Sequence, residues 1–524
     1  MKKSTKSMKK EQKIIILISL IFLVGLFLRT YNLDLTRFEH EMVRDALAAQ
    51  EVLAGDLKVH GYFASPTSTL QTSFGPTAYY LMALGALFVG NNLYWIPLAT
   101  IITIAILDAL AVLIIYRIGK EFFSEKVGII AAALYAVAPW MILHVATISS
   151  PTHYMPFFAA AYIYSICKVI LKKQIKWIIP AGILFALMTH FHLTAVLVIP
   201  GTLLGWFIVG KYYEKMKIPW KQIVIAGIGM LVVTTPFLYY GIKEGNLSDT
   251  INHVLGKREA ANRITTGIQA IGIPVMITTP YFGEYLLGKE TKVPGEFYFL
   301  IITGLIIILT AVGAFSVTKK AFKEKKREAM LLWIMIATPI VIYFLKGNSI
   351  TVHYFLMMMP LPMLITALGA EQLMKKWKKS TYVLISIVLV SNILAVALFY
   401  NTVAVEGGTT GIYGITYREK MNAVSNILQG IEEMGNKTVY FYQVQKPLRE
   451  SMTYLITLNS KPPVQFKSIK NIEEFEDGYL IIDRKSFYAT YTGEGVPPED
   501  NGIIDSMHPQ KFKFIEIIEK QEQQ

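Results

Sequence analysis

Residues 38–80 read FEHEMVRDALAAQEVLAGDLKVHGYFASPTSTLQTSFGPTAYY, an acidic segment that ends in a Gly-Pro and two tyrosines. It follows directly on the first apolar run of membrane length, and the rest of the chain is organised around it. Glu39, His40, Glu41, Arg44 and Asp45 fall within seven residues. The run 41–53 reads as a helix with Val43, Leu47 and Leu53 available for packing, and on it Glu41 and Asp45, four apart, share a face. Two like charges on one face cost energy unless a cation or a substrate uses them, and Arg44 is the nearest cation in sequence. The alternative is a solvated, capped surface helix.

Of the 524 residues, 53% are hydrophobic and only 17% charged, and the apolar residues come in long blocks. That is more apolar surface than a soluble core needs, so the chain reads as a polytopic membrane protein. A net charge of +14 raises the question of nucleic acid. The lysines and arginines sit mostly between apolar runs, however, where the positive-inside bias puts them, so nucleic acid is not an expected partner. The single cysteine, Cys167, excludes an intramolecular disulfide and reads as a packing residue inside a helix.

The amino-terminal residues 1–13 carry six lysines and one glutamate ahead of the run Ile14–Leu28. Phe27-Leu28-Arg29-Thr30 offers no small-residue cleavage site, so the run is expected to stay as a first span with its lysines in the cytoplasm. Basic clusters at 117–126, 172–176, 211–221, 319–327 and 375–379 are then cytoplasmic as well. Gly75–Gly90 is apolar, but if it crossed, every later cluster would move outside. It is therefore expected to be a re-entrant or interfacial helix on the outer side.

About eleven spans result, near 14–30, 93–116, 127–147, 155–171, 177–190, 193–210, 222–241, 297–316, 329–345, 353–371 and 381–400. Three segments fall outside: 31–92, 242–296 and 402–524. The last holds 13 basic and 17 acidic residues, in keeping with that side. It shows helical spacing over Tyr417–Met434 and strand-like runs at Thr438–Tyr442, Tyr479–Ile482 and Phe512–Ile518. The expected fold is mainly α, a membrane helical bundle over 1–401 followed by a small extracytoplasmic α/β domain over 402–524.

Six motifs now carry a resemblance. They are Leu28-Arg29-Thr30-Tyr31-Asn32-Leu33, Glu41-Met42-Val43-Arg44-Asp45-Ala46-Leu47 and Gly75-Pro76-Thr77-Ala78-Tyr79-Tyr80-Leu81 near the first outer loop. Ser149-Ser150-Pro151-Thr152-His153-Tyr154, Thr189-His190-Phe191-His192-Leu193 and His353-Tyr354-Phe355 up to Pro360 follow in order. Together these resemble membrane glycosyltransferases of the GT-C fold, in the branch of glycosyltransferase family 39 that holds protein O-mannosyltransferases and aminoarabinose transferases. The resemblance implies transfer of a sugar from a polyprenyl-phosphate donor to an acceptor hydroxyl at the outer membrane face, with inversion. The implied partners are that donor, a protein, lipid or polysaccharide acceptor, and membrane lipids, and the implied location is the plasma membrane.

Such a reaction needs a carboxylate to take the acceptor proton, cations to hold the departing phosphate and an apolar groove for the isoprenoid. The resemblance places the base at Glu41, where the family usually has Asp. Asp45 and Glu39 are the alternatives, although Asp45 has Arg44 as a pairing partner and Glu39 is placed to cap the helix. For the phosphate the candidates are Arg44, with Lys257, Arg258 and Arg263 in the loop before the eighth span. His353, where the family often has Arg before Tyr354, joins them together with His153 and His192. A divalent cation suits carboxylate and imidazole ligands, but no ligand spacing supports a metal site, and no cofactor is expected. Asp108 is an acid within a span, expected to order the helix core.

The chain lacks a Gly-x-x-x-x-Gly-Lys-Ser/Thr loop for nucleoside triphosphate and an Asp-x-Asp pair for a nucleotide sugar. A transporter or flippase of lipid-linked sugars would share the hydrophobicity, but it predicts polar residues along several spans. A noncatalytic binding protein needs no acid in the first outer loop.

Overall fold

The computed structural model describes residues 2–61, 74–89, 96–147, 151–245, 263–289, 291–347, 350–434, 438–442, 444, 446–460, 463–470, 474–475, 478–483, 510–511 and 515–520. Eight helical segments among them are long and apolar enough to cross a membrane: Lys10–Thr30, Ala99–Phe122, Pro151–Lys172, Leu193–Tyr213, Trp220–Lys243, Glu296–Lys323, Arg327–Lys346 and Lys378–Glu406. Val352–Met358 and Pro360–Met374 form a ninth candidate bent by 69°. The chain is an integral membrane protein of helical-bundle type.

In chain order the helices that matter below are α1 (Lys2–Thr30), α2 (His40–Leu53), α3 (Thr77–Val89), α4 (Ala99–Phe122), α5 (Glu125–Ala136), α6 (Pro139–Thr147) and α7 (Met155–Lys172). They are followed by α8 (Ile178–Phe191), α9 (Trp220–Lys243), α10 (Glu296–Thr318), α11 (Pro360–Met374), α12 (Lys378–Glu406), α13 (Tyr417–Met434) and α14 (Lys446–Asn459). Eight of the eleven expected spans coincide with membrane-length helices, and 353–371 is the bent pair. The other two, 127–147 and 177–190, are not single helices of that length. The α8 helix has 14 residues, and the first segment is cut in two by Pro139 between α5 and α6. The helix α3 has 13 residues, about 20 Å, too short to cross.

The cut at Pro139 explains a motif residue. Proline has no N–H, so the Tyr135 carbonyl four residues earlier loses its helical donor. The Arg29 guanidinium donates to that carbonyl at 3.2 Å, beside the Ala138 N–H, and to the Ala136 carbonyl that ends α5 at 2.8 Å. Its Nε also donates to Asp108 Oδ2 at 2.6 Å, and the Tyr135 hydroxyl donates to Asp108 Oδ1. Arg29 and Asp108 are both fully enclosed, so this network ties α1, α4 and α5 together and keeps the buried charges paired. Elsewhere α10 and α11 meet backbone to backbone at Gly313 and Gly369, where a Cβ on either would overlap the facing main chain.

At one end of the bundle the basic clusters gather with a few acids. Glu214 takes Lys173 at 2.7 Å and Arg327, and Glu121 takes Lys168 at 2.6 Å. The other end carries α2 and the carboxy-terminal sheet. That sheet has the order β2-β1-β3-β5-β4, with β1 (Thr438–Tyr442), β2 (Gln465–Ile469), β3 (Gly478–Asp483), β4 (Gln510–Lys511) and β5 (Ile515–Lys520). Strand β1 runs parallel to β2 and β3, and β5 runs antiparallel to β3 and β4. Four of the five β1 residues are buried, as a central strand requires.

The carboxy-terminal segment is stapled to the chain that follows α1. Arg418 binds Asp34 through two nitrogens at 2.8 and 2.9 Å. The Tyr417 N–H donates to Thr36 O at 2.6 Å, and the Tyr413 hydroxyl to Leu35 O at 2.7 Å. Lys420, fully enclosed, donates to Phe38 O and to Ser451 Oγ and pairs with Glu39 at 3.3 Å.

Candidate functional site

The helix α2 starts at His40 because Glu39 is extended (φ −123°, ψ 179°), although the Glu39 side chain makes no capping bond. That carboxylate points instead to Lys420, with Arg37 at 4.0 Å, and so belongs to the staple. Small residues at Ala46, Ala48 and Ala49 let α2 sit close against its neighbours. Asp45 is fully enclosed, with Oδ1 held by Arg44 Nε at 2.8 Å and NH2 at 2.7 Å. Burial, opposed by Arg44, pushes the Asp45 carboxyl up to about 7. Burial opposes the charge of Arg44 too, but Asp45 beside it more than compensates and raises the guanidinium above its ordinary value.

Glu41 differs from both of its neighbours. It is half-buried and forms no hydrogen bond or ion pair with another described residue. It lies within electrostatic reach of Arg44, Asp45 and His353. His353 packs edge-on against Tyr354, with ring centroids 4.6 Å apart, and against His192 at 5.4 Å. His192 also packs on Tyr354 at 5.4 Å and on Phe74 at 5.5 Å, and its Nδ1 accepts from the Thr194 N–H at 3.2 Å. Two histidines and a tyrosine from distant motifs thus stand beside the acidic helix.

The remaining motifs are pinned nearby. Thr77 Oγ1 and His190 Nδ1 are 2.7 Å apart, and a Cβ on Gly75 would overlap the His190 ring. Gly-Pro at 75–76 and Thr-His at 189–190 are therefore one contact, and only glycine fits it. The Tyr154 hydroxyl bonds Thr103 Oγ1 at 2.7 Å and faces Asp45. His153 is buried in the turn Pro151–Tyr154. Arg263 opens the helix Arg263–Met276 and is exposed, while Lys257 and Arg258 lie outside the described residues. Among the described residues no group of three His, Cys, Asp or Glu side chains is placed to hold a metal ion.

A cavity of about 840 Å³ opens beside α2. Its floor is the α2 stripe His40, Val43, Arg44, Leu47, Ala48 and Glu51, with Lys58, His60 and Tyr79 alongside. Its roof comes from α14 and strands β1 and β2, including Arg449, Tyr454, Phe441 and Ser468. None of these roof residues carries a sequence signal, because none belongs to a motif near α2. At 100° per residue Glu41 falls about 20° beyond the edge of the stripe, at the border between the cavity and the histidine side.

Comparison with known proteins agrees with this geometry. The chain superposes on ArnT from Cupriavidus metallidurans bound to undecaprenyl phosphate with a TM-score of 0.56, covering 96% of this chain and 97% of that one at 10% identity. It has the GT-C fold. A second GT-C structure, the Archaeoglobus fulgidus oligosaccharyltransferase tethered to an acceptor peptide with an NVT sequon, gives 0.51 at 13% identity, over 91% and 70% of the two chains. Residues 73–240 match the family model described as dolichyl-phosphate-mannose-protein mannosyltransferase. No curated protein matches in sequence. The GT-C assignment therefore rests on the path of the chain and on that matched region, which begins at the Gly75 contact and ends beyond His192.

Proposed function

We propose that the protein is an integral membrane glycosyltransferase that moves a sugar from a polyprenyl-phosphate donor to an acceptor hydroxyl, with inversion and with Glu41 as general base. The observation that carries this is the state of the three acids around α2. Glu39 is committed to Lys420 and Asp45 to Arg44, whereas Glu41 is half-buried, in no described hydrogen bond or ion pair, and close to the charge of Arg44. A base must be reachable by the acceptor hydroxyl, and Asp45 and Glu39 are buried while Glu41 is half-buried. In this reading His353, His192 and Tyr354, packed on one another near Glu41, take the phosphate leaving group, and the charge of Arg44 next to Glu41 adds to its stabilisation. The match to a mannosyltransferase family and the similarity to a structure bound to undecaprenyl phosphate support a polyprenyl-phosphate donor.

In this reading residues 1–401 form the transferase body, and residues 402–524 form an extracytoplasmic α/β domain that closes over the site. The amino terminus is cytoplasmic, as the basic clusters at the opposite end of the bundle suggest. The test is sugar transfer in proteoliposomes from a panel of radiolabelled polyprenyl-phosphate sugars, comparing the intact protein with Glu41→Gln. Loss of transfer with retained donor binding supports the assignment. Full activity in the Gln variant moves the base to Asp45 or Glu39. Movement of intact labelled lipid between leaflets without transfer establishes a flippase instead.

A further inference from the structure

The wall of the cavity between α2 and the carboxy-terminal segment holds one guanidinium that meets no carboxylate among the described residues, while its other charges are paired, Lys58 with Asp56 at 2.6 Å among them. Lys58 is paired with Glu51 at 2.7 Å, Arg44 with Asp45, and Glu450 with Lys446 at 3.6 Å. Arg449, half-buried on α14 in the roof, meets no carboxylate among the described residues. Its one described polar partner is the Ser468 hydroxyl on β2, at 3.3 Å. A half-buried guanidinium that lines an open cavity beside a hydroxyl, with no carboxylate within ion-pair distance among the described residues, is arranged to accept an anion that arrives with a ligand. His40 stands on the same wall, and its Nδ1, which meets no partner among the described residues, adds hydrogen-bond capacity.

The same cavity lies on one side of α2, and the His192–His353–Tyr354 cluster lies within reach of Glu41 beyond the edge of the cavity stripe. None of the three lines the cavity, and Glu41 stands next to the cavity stripe. Inversion requires the acceptor hydroxyl and the departing phosphate on opposite faces of the anomeric carbon, and a cavity distinct from the imidazole and aromatic cluster gives the acceptor its own approach to Glu41. We infer that the cavity beneath α14 is the acceptor site and that Arg449 recognises a phosphate or carboxylate carried by the acceptor. This rests on the transferase reading above. It assigns the carboxy-terminal segment a role in choosing the acceptor, and it makes the acceptor a hydroxyl compound that bears a negative group.

The test uses the full chain in nanodiscs and two probes of one chemistry. Radiolabelled glycerol 1-phosphate is the soluble probe, phosphatidylglycerol in the disc is the lipid probe, and glycerol and diacylglycerol are the uncharged controls. The expected result is binding of one charged probe, weakened about 10- to 100-fold in Arg449→Ala, as loss of a charge-assisted bond predicts, and partly restored in Arg449→Lys. The acceptor KM in the transfer assay should rise by a similar factor. Which probe binds distinguishes a lipid headgroup from a soluble or polymeric anion. Equal affinity of wild type and Arg449→Ala for the charged probes, or preference for an uncharged control, overturns the inference. Release of sugar from donor to water by the wild-type protein shows separately whether the transferase reading stands.

Discussion

Two acids four residues apart on α2 have opposite fates, and burial is the reason. Asp45 is fully buried, where only Arg44 offsets its desolvation. Glu41 is half-buried and forms no ion pair with another described residue. Replacing Glu41 by Gln preserves shape and removes the base, so transfer should fall by about 10²- to 10⁴-fold while the thermal unfolding midpoint stays within the wild-type range. Parallel kinetics and melting curves check this. Asp45 makes a pH prediction. Its folded pKa is raised to about 7 from an ordinary 3.8, so the folded state keeps a proton that the unfolded chain releases. Its contribution to stability is therefore lost progressively as pH rises from about 4 to about 7 and is constant above that. Melting midpoints across pH 4–8 should show a wild-type decline that is absent in Asp45→Asn. Parallel curves for the two proteins would contradict the raised pKa.

Elements meet here through small residues and through carbonyls that a helix break sets free. The α5–α6 break at Pro139 creates the acceptors that Arg29 fills, and Gly75 allows the chain before α3 to lie on the His190 ring. Gly75→Ala forces a Cβ into that ring and should cost about 1–3 kcal/mol, typical of overpacking. A smaller residue opposite relieves the clash, so the double variant Gly75→Ala with His190→Ala should be less destabilised than the two single changes sum to. Strict additivity in thermal unfolding would show that the two sites do not touch. Arg29 lies in the motif leading into the first loop, yet it serves the helix core and not a phosphate.

Across the whole molecule, the largest commitment is between ends of the chain almost 400 residues apart. Lys420 holds Glu39, the Phe38 carbonyl and Ser451 at one buried point. Lys420→Met leaves the buried Glu39 with Arg37, at 4.0 Å, as its remaining described cation and should destabilise the docking by about 3 kcal/mol. Limited proteolysis of the membrane-embedded protein should then release the carboxy-terminal segment faster than in wild type. An unchanged cleavage rate would show that Asp34–Arg418 and Tyr413–Leu35 hold the segment without it.

The sequence by itself determined the class of this protein and much of its order. Hydrophobic blocks and the placement of lysine and arginine are local properties, so the membrane bundle, eight of the spans and the helical and strand character of the tail were legible from composition and period. So was the clustering of Glu41, Arg44 and Asp45, which one short helix brings together. The break at Pro139 was readable in principle, but a hydropathy run does not register a single missing N–H. Contacts decided the rest. Which of three acids is left unpaired depends on Lys420 and on packing against α3 and α4, and no spacing rule reaches from residue 39 to residue 420. The roof of the cavity, with Arg449 and Ser468 facing α2, exists only because the tail folds back over the first loop. Burial and pairing are properties of the assembled chain, and they separate a structural charge from one that is free to act.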